Sequence, residues 1–292
     1  MTEATLGVLA ALGSALAWTL IGLLARALSP YLNALSINMI RSAVGGVLLL
    51  GFARVSGGFG SLGAVSAPSW AYLSLSVVTA FAVGDTAFFE STRAIGLARA
   101  MTLSMIYPPL ASVLGFLWFR EPITLQVAVG AAVTLGGLVL IVRDRGDAAA
   151  TTDRARGVGL AVLAAAAWAL SVTLMKPPLR EVDPVTVQAV RLPLAAAVLW
   201  LTPWARGAGQ RVRANLRTAG PLLLGLSVLT AISAVTFVAG LKYAGLALAT
   251  VLSATSPLFA LPIGFLAFGE RLTWRAAAGA LLAVGGIAIL SA

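Results

Sequence analysis

The strongest constraint in this sequence is the recurrence of long apolar runs between short connectors. A helix needs about 20 apolar residues to cross the hydrocarbon core of a bilayer. Runs of this kind follow one another throughout the chain, and ten spans are predicted: 6–28, 34–53, 69–92, 97–119, 125–142, 157–177, 185–204, 219–241, 246–268 and 274–291. The runs are continuous rather than alternating in polarity, which argues against β-barrel strands. The sequence therefore predicts an all-α integral membrane protein with ten transmembrane helices.

The composition agrees with this class and excludes several others. Apolar residues make up 60% of the chain and charged residues only 10%, whereas a soluble domain carries about 25% charged residues. Cysteine and histidine are both absent, which excludes disulfides, thiolate nucleophiles, imidazole bases and the usual zinc or haem ligands. The net charge of +10 comes mainly from the connectors and not from a basic stripe with exposed aromatics, so no nucleic-acid partner is expected. We expect no catalytic residue, no metal and no cofactor.

The second half of the chain repeats the first. Residues 103–124 (LSMIYPPLASVLGFLWFREPIT) and 252–273 (LSATSPLFALPIGFLAFGERLT) share 10 identities in 22 positions without a gap. The same register pairs AWTLIGLLAR at 17–26 with AWALSVTLMK at 167–176. Equivalent residues stay 149 or 150 positions apart. The chain is therefore an internal duplication.

An odd number of spans in each half sets the relative orientation of the two copies. Five spans and a short linker bring the second copy into the membrane upside down. Inverted repeats of this kind are typical of secondary transporters, which expose one central site to either side in turn. We expect five-helix repeats at 1–143 and 157–292, a charged linker at 144–156, and a central cavity between the repeats. Spans 5 and 10 contain glycines that are expected to permit close helix packing: Gly130, Gly136, Gly279 and Gly285.

Two signatures carry a family resemblance. GLARAMTLSMIYPPLASVLGFLWFREPIT and GLALATVLSATSPLFALPIGFLAFGERLT, each followed by a Gly-Gly span, resemble the drug/metabolite transporter superfamily, specifically its ten-span EamA-type branch. The resemblance covers essentially the whole chain and implies a pseudo-two-fold bundle with a cavity formed by spans 1–4 and 6–9. It also implies a protein of the bacterial inner membrane. Characterised bacterial relatives export amino acids, including aromatic ones, or other small metabolites. The chain departs from the pattern at Arg120 and Pro122, where the second copy has Gly269 and Arg271.

Two prolines stand near the midpoints of spans 4 and 9. Pro108 and Pro257 each remove a backbone donor and clash with the preceding turn, so the helix bends and carbonyls are freed. Freed backbone groups at this depth are tolerated only against protein or a wet cavity. We expect a hinge and cavity wall at both prolines, with an ordinary kink as the alternative. Neighbouring side chains and two mid-span tryptophans are further candidates for the wall: Tyr107, Ser104, Ser253, Ser256, Trp18 and Trp168.

Four charged residues within the apolar runs are candidates for a proton or charge site. A carboxylate at membrane depth is rare and usually functional, and Asp85 and Glu90 both belong to span 3. Asp85 is a candidate for binding a solute ammonium group or taking up a proton, with a salt bridge to Arg41 or Arg93 as the alternative. Glu90 is the weaker candidate because it lies close to Arg93. Arg41 and Arg191 occupy equivalent positions in the two halves, where each could hold a carboxylate or snorkel to the interface; their symmetry favours a structural role.

Positive charges are unequally divided between alternate connectors. Apart from Arg41 and Arg191, 13 Arg and Lys residues lie in or beside the connectors on the side of 143–157, and 5 lie in or beside the connectors on the other side. The positive-inside rule places that connector in the cytoplasm and both termini outside, whereas the family resemblance implies that both termini are inside. Both orientations stay open.

These features predict a secondary transporter that moves a small-molecule solute across the lipid bilayer by alternating access, most simply as a monomer. Export of amino acids or related metabolites is the leading expectation. The alternative is a proton-coupled multidrug exporter of hydrophobic cations, with Asp85 as the anchor. A membrane-embedded enzyme is disfavoured, because the sequence lacks His, Cys and paired acids beside a nucleophile.

Overall fold

The structure is a computed structural model, and it describes residues 2–55, 63, 65–120, 124–143, 151–202, 205–244, 252–253, 255–269 and 273–291. The regular structure in this part of the chain is helical, without a strand. The helices are α1 (Glu3–Leu28), α2 (Ala34–Val55), α3 (Ala67–Val77), α4 (Thr86–Ile95), α5 (Leu97–Ser104), α6 (Tyr107–Phe119), α7 (Leu125–Arg143), α8 (Thr151–Leu174), α9 (Pro178–Glu181), α10 (Pro184–Leu201), α11 (Ala208–Ala214), α12 (Leu216–Tyr243), α13 (Ser256–Phe268) and α14 (Trp274–Ser291). A π-helical segment, Val78–Asp85, joins α3 to α4.

Many of these helices suit a membrane. Among the described residues, six stretches are long and apolar enough to cross a membrane: Thr5–Leu28, Ala34–Val55, Ala67–Ile95, Leu97–Phe119, Arg154–Leu174 and Leu216–Gly240. Shorter apolar helices occur at Ala128–Gly137, Val185–Leu201 and Trp274–Ile289. Large apolar side chains also cover the outside of the bundle, as at Val55, which is 90% exposed. The protein is an integral multi-pass membrane protein.

The second half begins with a longer helix than expected. α8 begins at Thr151, so the latter part of the predicted linker, 144–156, is helical, and the first part lies outside the described residues. The predicted ninth span, 246–268, also lies partly outside them, and its described portion is helical from Ser256 to Phe268.

The third predicted span is continuous from Ala67 to Ile95, but its middle is π-helical. The carbonyl of Phe81 accepts hydrogen bonds from the side-chain amide of Asn38 and, at 3.3 Å, from the hydroxyl of Thr86. These side chains satisfy a backbone group inside the predicted third span, where an unpaired carbonyl is costly. Such π turns inside α-helices are frequent at functional sites. The sequence analysis predicted an ordinary helix here.

The fourth span is broken where the double proline begins. α5 ends at Ser104, residues 105–106 form a turn, and α6 begins at Tyr107. Pro108 therefore lies in the first turn of a new helix, where its missing N–H leaves no hydrogen bond unmade. Pro257 is likewise the second residue of α13. Both prolines start a helix rather than kink the interior of one.

The ends of α6 and α13 share one backbone conformation. Arg120 follows α6 with φ 57°, and Gly269 follows α13 with φ 63°. Glycine adopts this left-handed conformation freely, whereas a side chain with a Cβ is strained there. The departure from the family pattern therefore leaves an arginine where the turn favours glycine.

α1 packs along α12 in the antiparallel direction. Gly7 near the start of α1 faces Ala244, which follows α12. Further along, the hydroxyl of Ser14 donates to the carbonyl oxygen of Ser233 at 3.4 Å.

α8 packs along the rod formed by α3, the π segment and α4, again antiparallel. Gly157 near the start of α8 faces Ile95 at the end of the rod. Near its other end, the hydroxyl of Ser171 donates to the carbonyl oxygen of Ser76 at 2.8 Å. The first helix of each half therefore packs against the third span of the other half.

α1 follows the same rod in the opposite sense from α8. The ring of Trp18 stacks on that of Phe88 with centroids 5.5 Å apart. About two turns further along α1 and one turn further along α4, Nη1 of Arg26 donates to the carbonyl oxygen of Thr92 at 3.1 Å. Residue numbers therefore rise together along α1 and α4, so α1 and α8 run antiparallel to each other.

α7 and α14 pack on each other through glycines. A Cβ at Gly137 would lie 2.6 Å from the carbonyl oxygen of Gly279, and one at Gly286 would lie 2.6 Å from that of Gly130. These distances exclude any side chain without a shift of backbone. The first glycine of each Gly-Gly pair, Gly136 or Gly285, is different: a Cβ added there would have no atom within 4 Å. The expectation of close packing at these two glycines was therefore wrong.

A hydrogen-bonded latch joins the two halves outside the spans. Glu181, in the short helix α9, accepts from the backbone N–H and hydroxyl of Ser66 at 2.9 Å each and from the hydroxyl of Ser69 at 2.8 Å. The backbone hydrogen bond from Ser66 is the main cause that lowers the pKa of Glu181, followed by the two hydroxyls. The carboxylate thereby holds the start of α3.

Candidate functional site

A cavity of about 180 Å³ lies within the bundle. Its wall is formed by α1, α2, the π segment, the break before α6, α8, α10, α12 and the chain at Ser253 and Ser256. Within the described chain, α7 and α14 contribute no residue to the wall. Apolar and aromatic side chains predominate, with three charged ones among them: Arg41, Asp85 and Arg191. An apolar pocket with a few convergent polar groups is the usual form of a small-molecule site.

Asp85 and Arg41 form a buried ion pair in the wall. Oδ2 of Asp85 pairs with Nη2 of Arg41, and the two side chains are 6% and 1% exposed. Arg41 also donates from Nε to Oδ1 of Asn38 at 3.0 Å and from Nη1 to the hydroxyl of Thr230 at 3.4 Å. Of the alternatives that the sequence left open for Asp85, a salt bridge to Arg41 is the arrangement found. Arg41 does not snorkel.

Aromatic rings surround this pair on the cavity side. Nε1 of Trp168 donates to Oδ1 of Asp85 at 2.9 Å. Trp18 and Tyr107 both meet Trp168 edge to face, with centroids 5.4 and 6.4 Å away. The indole approaches so closely that a Cβ at Gly84 would lie 2.6 Å from its ring. Trp18 and Trp168, which the sequence suggested as wall residues, therefore line the cavity and also pack on each other.

Arg191 has no such carboxylate partner in the described structure. The structure buries it to 4% exposure. Its Nη1 donates to Oε1 of Gln188 at 3.3 Å, and its Nη2 to the hydroxyl of Ser171 at 3.0 Å and the carbonyl oxygen of Ser76 at 3.4 Å. Its Nε has no hydrogen-bond partner among the described residues. The guanidinium lies over the ring of Phe81, 5.4 Å from the centroid. The alternative that the side chain snorkels to the membrane interface is therefore wrong for Arg191 as well.

Of the three serines that the sequence suggested as wall residues, two line the cavity and one lies in the packed interior. Ser253 and Ser256 line the cavity. Ser256 donates to the carbonyl oxygen of Ser253 at 2.7 Å, whereas the buried hydroxyl of Ser253 has no partner in the described structure. Ser104 is not part of the wall, because its hydroxyl is fully buried and donates to the carbonyl oxygen of Met101 at 3.0 Å.

Glu90 and Pro108 also lie outside the wall. Glu90 pairs with Arg93 at 3.2 Å, and the two side chains are 25% and 40% exposed. It also accepts from the backbone N–H of Ala34 at 3.4 Å, so it fastens the start of α2. The side chain of Pro257 lies outside the described structure.

Some polar residues around the cavity were not singled out from the sequence. An amide stands three residues before each buried arginine, as Asn38 and Gln188, and bonds to that arginine. The duplicated pattern N-M-I-R and Q-A-V-R is a signal that could have found them. The remaining polar wall residues are single hydroxyls within apolar runs: Ser14, Ser171, Thr230 and Ser233.

Known proteins resemble the chain in sequence and in fold. The sequence matches the model of the EamA-like transporter family over residues 5–143 and 155–292. An uncharacterized transporter of Archaeoglobus fulgidus is 26% identical over 219 residues, which cover 75% of this chain and 74% of the relative. A crystal structure of a protein with 16% sequence identity superposes with a TM-score of 0.65, covering 97% of this chain and 95% of that one. This last likeness concerns the fold alone.

Proposed function

The chain belongs to the EamA-like transporter family, and from that premise we propose that it exports amino acids or related small metabolites by alternating access. The observation that carries the choice of solute is a cavity of about 180 Å³ whose wall combines aromatic rings with three buried charges. An apolar cavity of about 150 Å³ accommodates a benzene molecule. The space is therefore suited to a solute with a body of about one ring and a small polar head.

We propose ten membrane crossings, arranged as inverted repeats at 1–143 and 157–292 around the linker 144–156. The antiparallel directions of α1 and α8, the first helices of the two halves, support this arrangement. So does the exchange of partners, in which each of these helices packs against the third span of the other half. Inverted repeats with a site between them provide two alternately open states of similar geometry.

The helix breaks before Pro108 and Pro257 are the proposed hinges of alternating access. They occupy equivalent positions in the two halves, and the break before α6 contributes Met105 to the cavity wall. A pair of short helices joined at a turn changes its angle more readily than a continuous helix, because the few residues of the turn can absorb the change in backbone angles.

The charges of the wall favour this function over the export of hydrophobic cations. Asp85 would be the anchor for a cation, but both its oxygens are engaged, by Arg41 and by Trp168. The two arginines also repel a cation from the site. The same ion pair supports facilitated diffusion over proton antiport, because a proton on Asp85 would leave Arg41 buried without its counter-charge. Flux through Asp85→Asn that is intact and independent of a pH gradient would exclude proton coupling at this residue.

We place the protein in the bacterial inner membrane, with a single chain as the working unit, since one chain encloses the cavity. A C-terminal reporter that is active only outside the cytoplasm distinguishes the two orientations of the termini.

The function is tested with purified protein in liposomes. A panel of amino acids is first screened for thermal stabilisation, since a ligand that binds the folded state raises the apparent stability. Stabilising compounds are then measured in counterflow, in which uptake of a labelled solute is driven by unlabelled solute inside. We expect uptake that requires the protein. The proposed function is rejected if no amino acid of the panel and no related small metabolite stabilises the protein or is taken up.

Two glycine variants connect any uptake to the cavity. Gly84→Ala should abolish or strongly reduce counterflow, because its Cβ would displace the ring of Trp168. Gly13→Ala, on α1 with nothing within 4 Å of the added Cβ, should transport as the parent does. Equal uptake by both variants would separate transport from this cavity.

A further inference from the structure

We propose that Arg191 binds a carboxylate of the solute, and that the solutes are small monocarboxylates with an apolar or aromatic body. This inference rests on the proposed function and narrows its solute class. It assigns the recognition of the solute to the second arginine and not to Asp85.

The first step is the charge balance of the cavity. Two guanidinium groups and one carboxylate line it in the described structure, so the wall carries one uncompensated positive charge. Asp85 attracts Arg191 at longer range, but Arg41 and Trp168 occupy its two oxygens. A buried cation at membrane depth is costly without a counter-charge. A single negative charge on the solute completes the balance, whereas a dianion would exceed it.

The second step is the asymmetry of the duplication. Arg41 and Arg191 are 150 positions apart and each bonds to an amide three residues earlier. The spacing of 149 that holds for the prolines makes Ala234 the equivalent of Asp85, and Ala234 also lines the cavity. The second half therefore repeats the cation and its supporting amide but not the carboxylate. The solute supplies that carboxylate.

The third step is the geometry around Arg191. Within the part of the chain that the structure describes, its Nε–H is buried and unpaired, and its Nη atoms have only neutral acceptors. A guanidinium binds a carboxylate through two parallel N–H···O bonds, and Nε with an Nη is one of the edges that can do so. The rings of Trp18, Tyr107 and Trp168 in the same wall provide the apolar surface for the body of the solute.

It follows that the carboxylate of the solute is essential and that an α-ammonium group is dispensable. Three compounds with a phenylethyl body separate these groups: 3-phenylpropanoate has the carboxylate alone, phenylalanine has both groups, and phenethylamine has the ammonium alone. We expect wild-type protein in liposomes to take up the first at least as well as the second, and the third barely. This order needs no variant, so it is independent of any folding defect.

Arg191→Gln should weaken uptake and thermal stabilisation by both carboxylates by about 30-fold or more, since one partner of a buried charge pair is removed. Ala234→Asp supplies the missing carboxylate within the protein, so it should also suppress carboxylate binding while keeping Arg191 in place. Arg213→Gln, an exposed arginine of α11, is the control that loses a positive charge elsewhere and should behave as wild type.

Each outcome decides a different claim. If the three compounds are taken up equally, or the amine is taken up best, the protein transports but the assignment of Arg191 is wrong. Unchanged carboxylate affinity in both Arg191→Gln and Ala234→Asp would overturn it as well. Uptake of other amino acids without any of the three compounds keeps the proposed transporter and rejects the solute class. A failure of every solute in both panels rejects the proposed function itself.

Discussion

The buried pair of Asp85 and Arg41 provides the sharpest test of the structure, through a double-mutant cycle. The cycle compares Asp85→Asn, Arg41→Gln and the double variant with the parent. Asparagine keeps an acceptor for the indole N–H of Trp168, which lies 2.9 Å from Oδ1. The single changes therefore remove mainly charge, and each leaves its former partner buried without compensation.

The expected magnitudes follow from this burial. Removing one member of a buried ion pair costs about 3–5 kcal/mol of unfolding free energy, because the other charge stays in a medium that solvates it poorly. Asp85→Asn should be the costlier change, since it leaves two cations in the wall and no carboxylate. The double variant removes both charges of the pair, so its cost should fall short of the sum by about 2–3 kcal/mol.

Equilibrium unfolding of the purified protein in mixed micelles with a denaturing detergent measures these free energies. Glu90→Gln and Arg93→Gln form the control cycle, because this pair is 25% and 40% exposed and exposed pairs contribute below about 1 kcal/mol. Additive costs at Asp85 and Arg41, within about 0.5 kcal/mol, would show that the two side chains do not interact as the structure describes.

Further predictions concern packing, a strained turn and the latch outside the spans. Gly137→Ala should destabilise the protein strongly because its Cβ would meet backbone at 2.6 Å, whereas Gly136→Ala, with open space, should leave the unfolding free energy unchanged or slightly raised. Arg120→Gly should stabilise by about 1 kcal/mol by relieving the left-handed residue; a loss of stability in the same assay would contradict the strain. Because the pKa of Glu181 is lowered in the folded state, its contribution is fully present above the ordinary value of 4.5 and lost as the pH falls through the folded value. Glu181→Gln should remove that part of the acid dependence of the melting temperature, and an unchanged profile would count against the latch.

The features that the sequence predicts well are those that a periodic pattern records. The helical spans, the duplicated proline segments and the buried position of Asp85 all follow from long apolar runs and their interruptions. The π segment was missed because a helix with one wider turn has the same apolar composition as a regular helix. One signal was present: the repeat spacing is 150 at Arg41 and Arg191 but 149 at Pro108 and Pro257. A wider turn accommodates one extra residue between these points, and Val78–Asp85 lies between them.

The sequence did not show which of the two buried arginines pairs with a carboxylate of the protein. Arg41 and Arg191 occupy equivalent positions, which favoured the same structural role for both. The difference arises on another helix, where the first half has Asp85 and the second half has Ala234. A contact across helices depends on how those helices rotate and cross, and apolar periodicity does not record which residue faces which. The same limitation applied to Ser104, whose hydroxyl turns back to its own helix.

In the proposed transporter, the unequal charges of the two halves also have a consequence for the transport cycle. An equal complement, with one carboxylate for each arginine, would leave the closed empty cavity electrically balanced, and a bound monocarboxylate would add an uncompensated negative charge. With Arg191 uncompensated, the closed empty state contains an isolated cation, and the closed loaded state does not. A solute can shift a conformational equilibrium only by its difference in affinity between the states. Pairing with Arg191 is strongest when the cavity is closed to water, because the attraction of charges rises as the dielectric falls. The residue that recognises the solute would thus also favour closure around it, so that one missing carboxylate in the second repeat connects binding to the exchange of access.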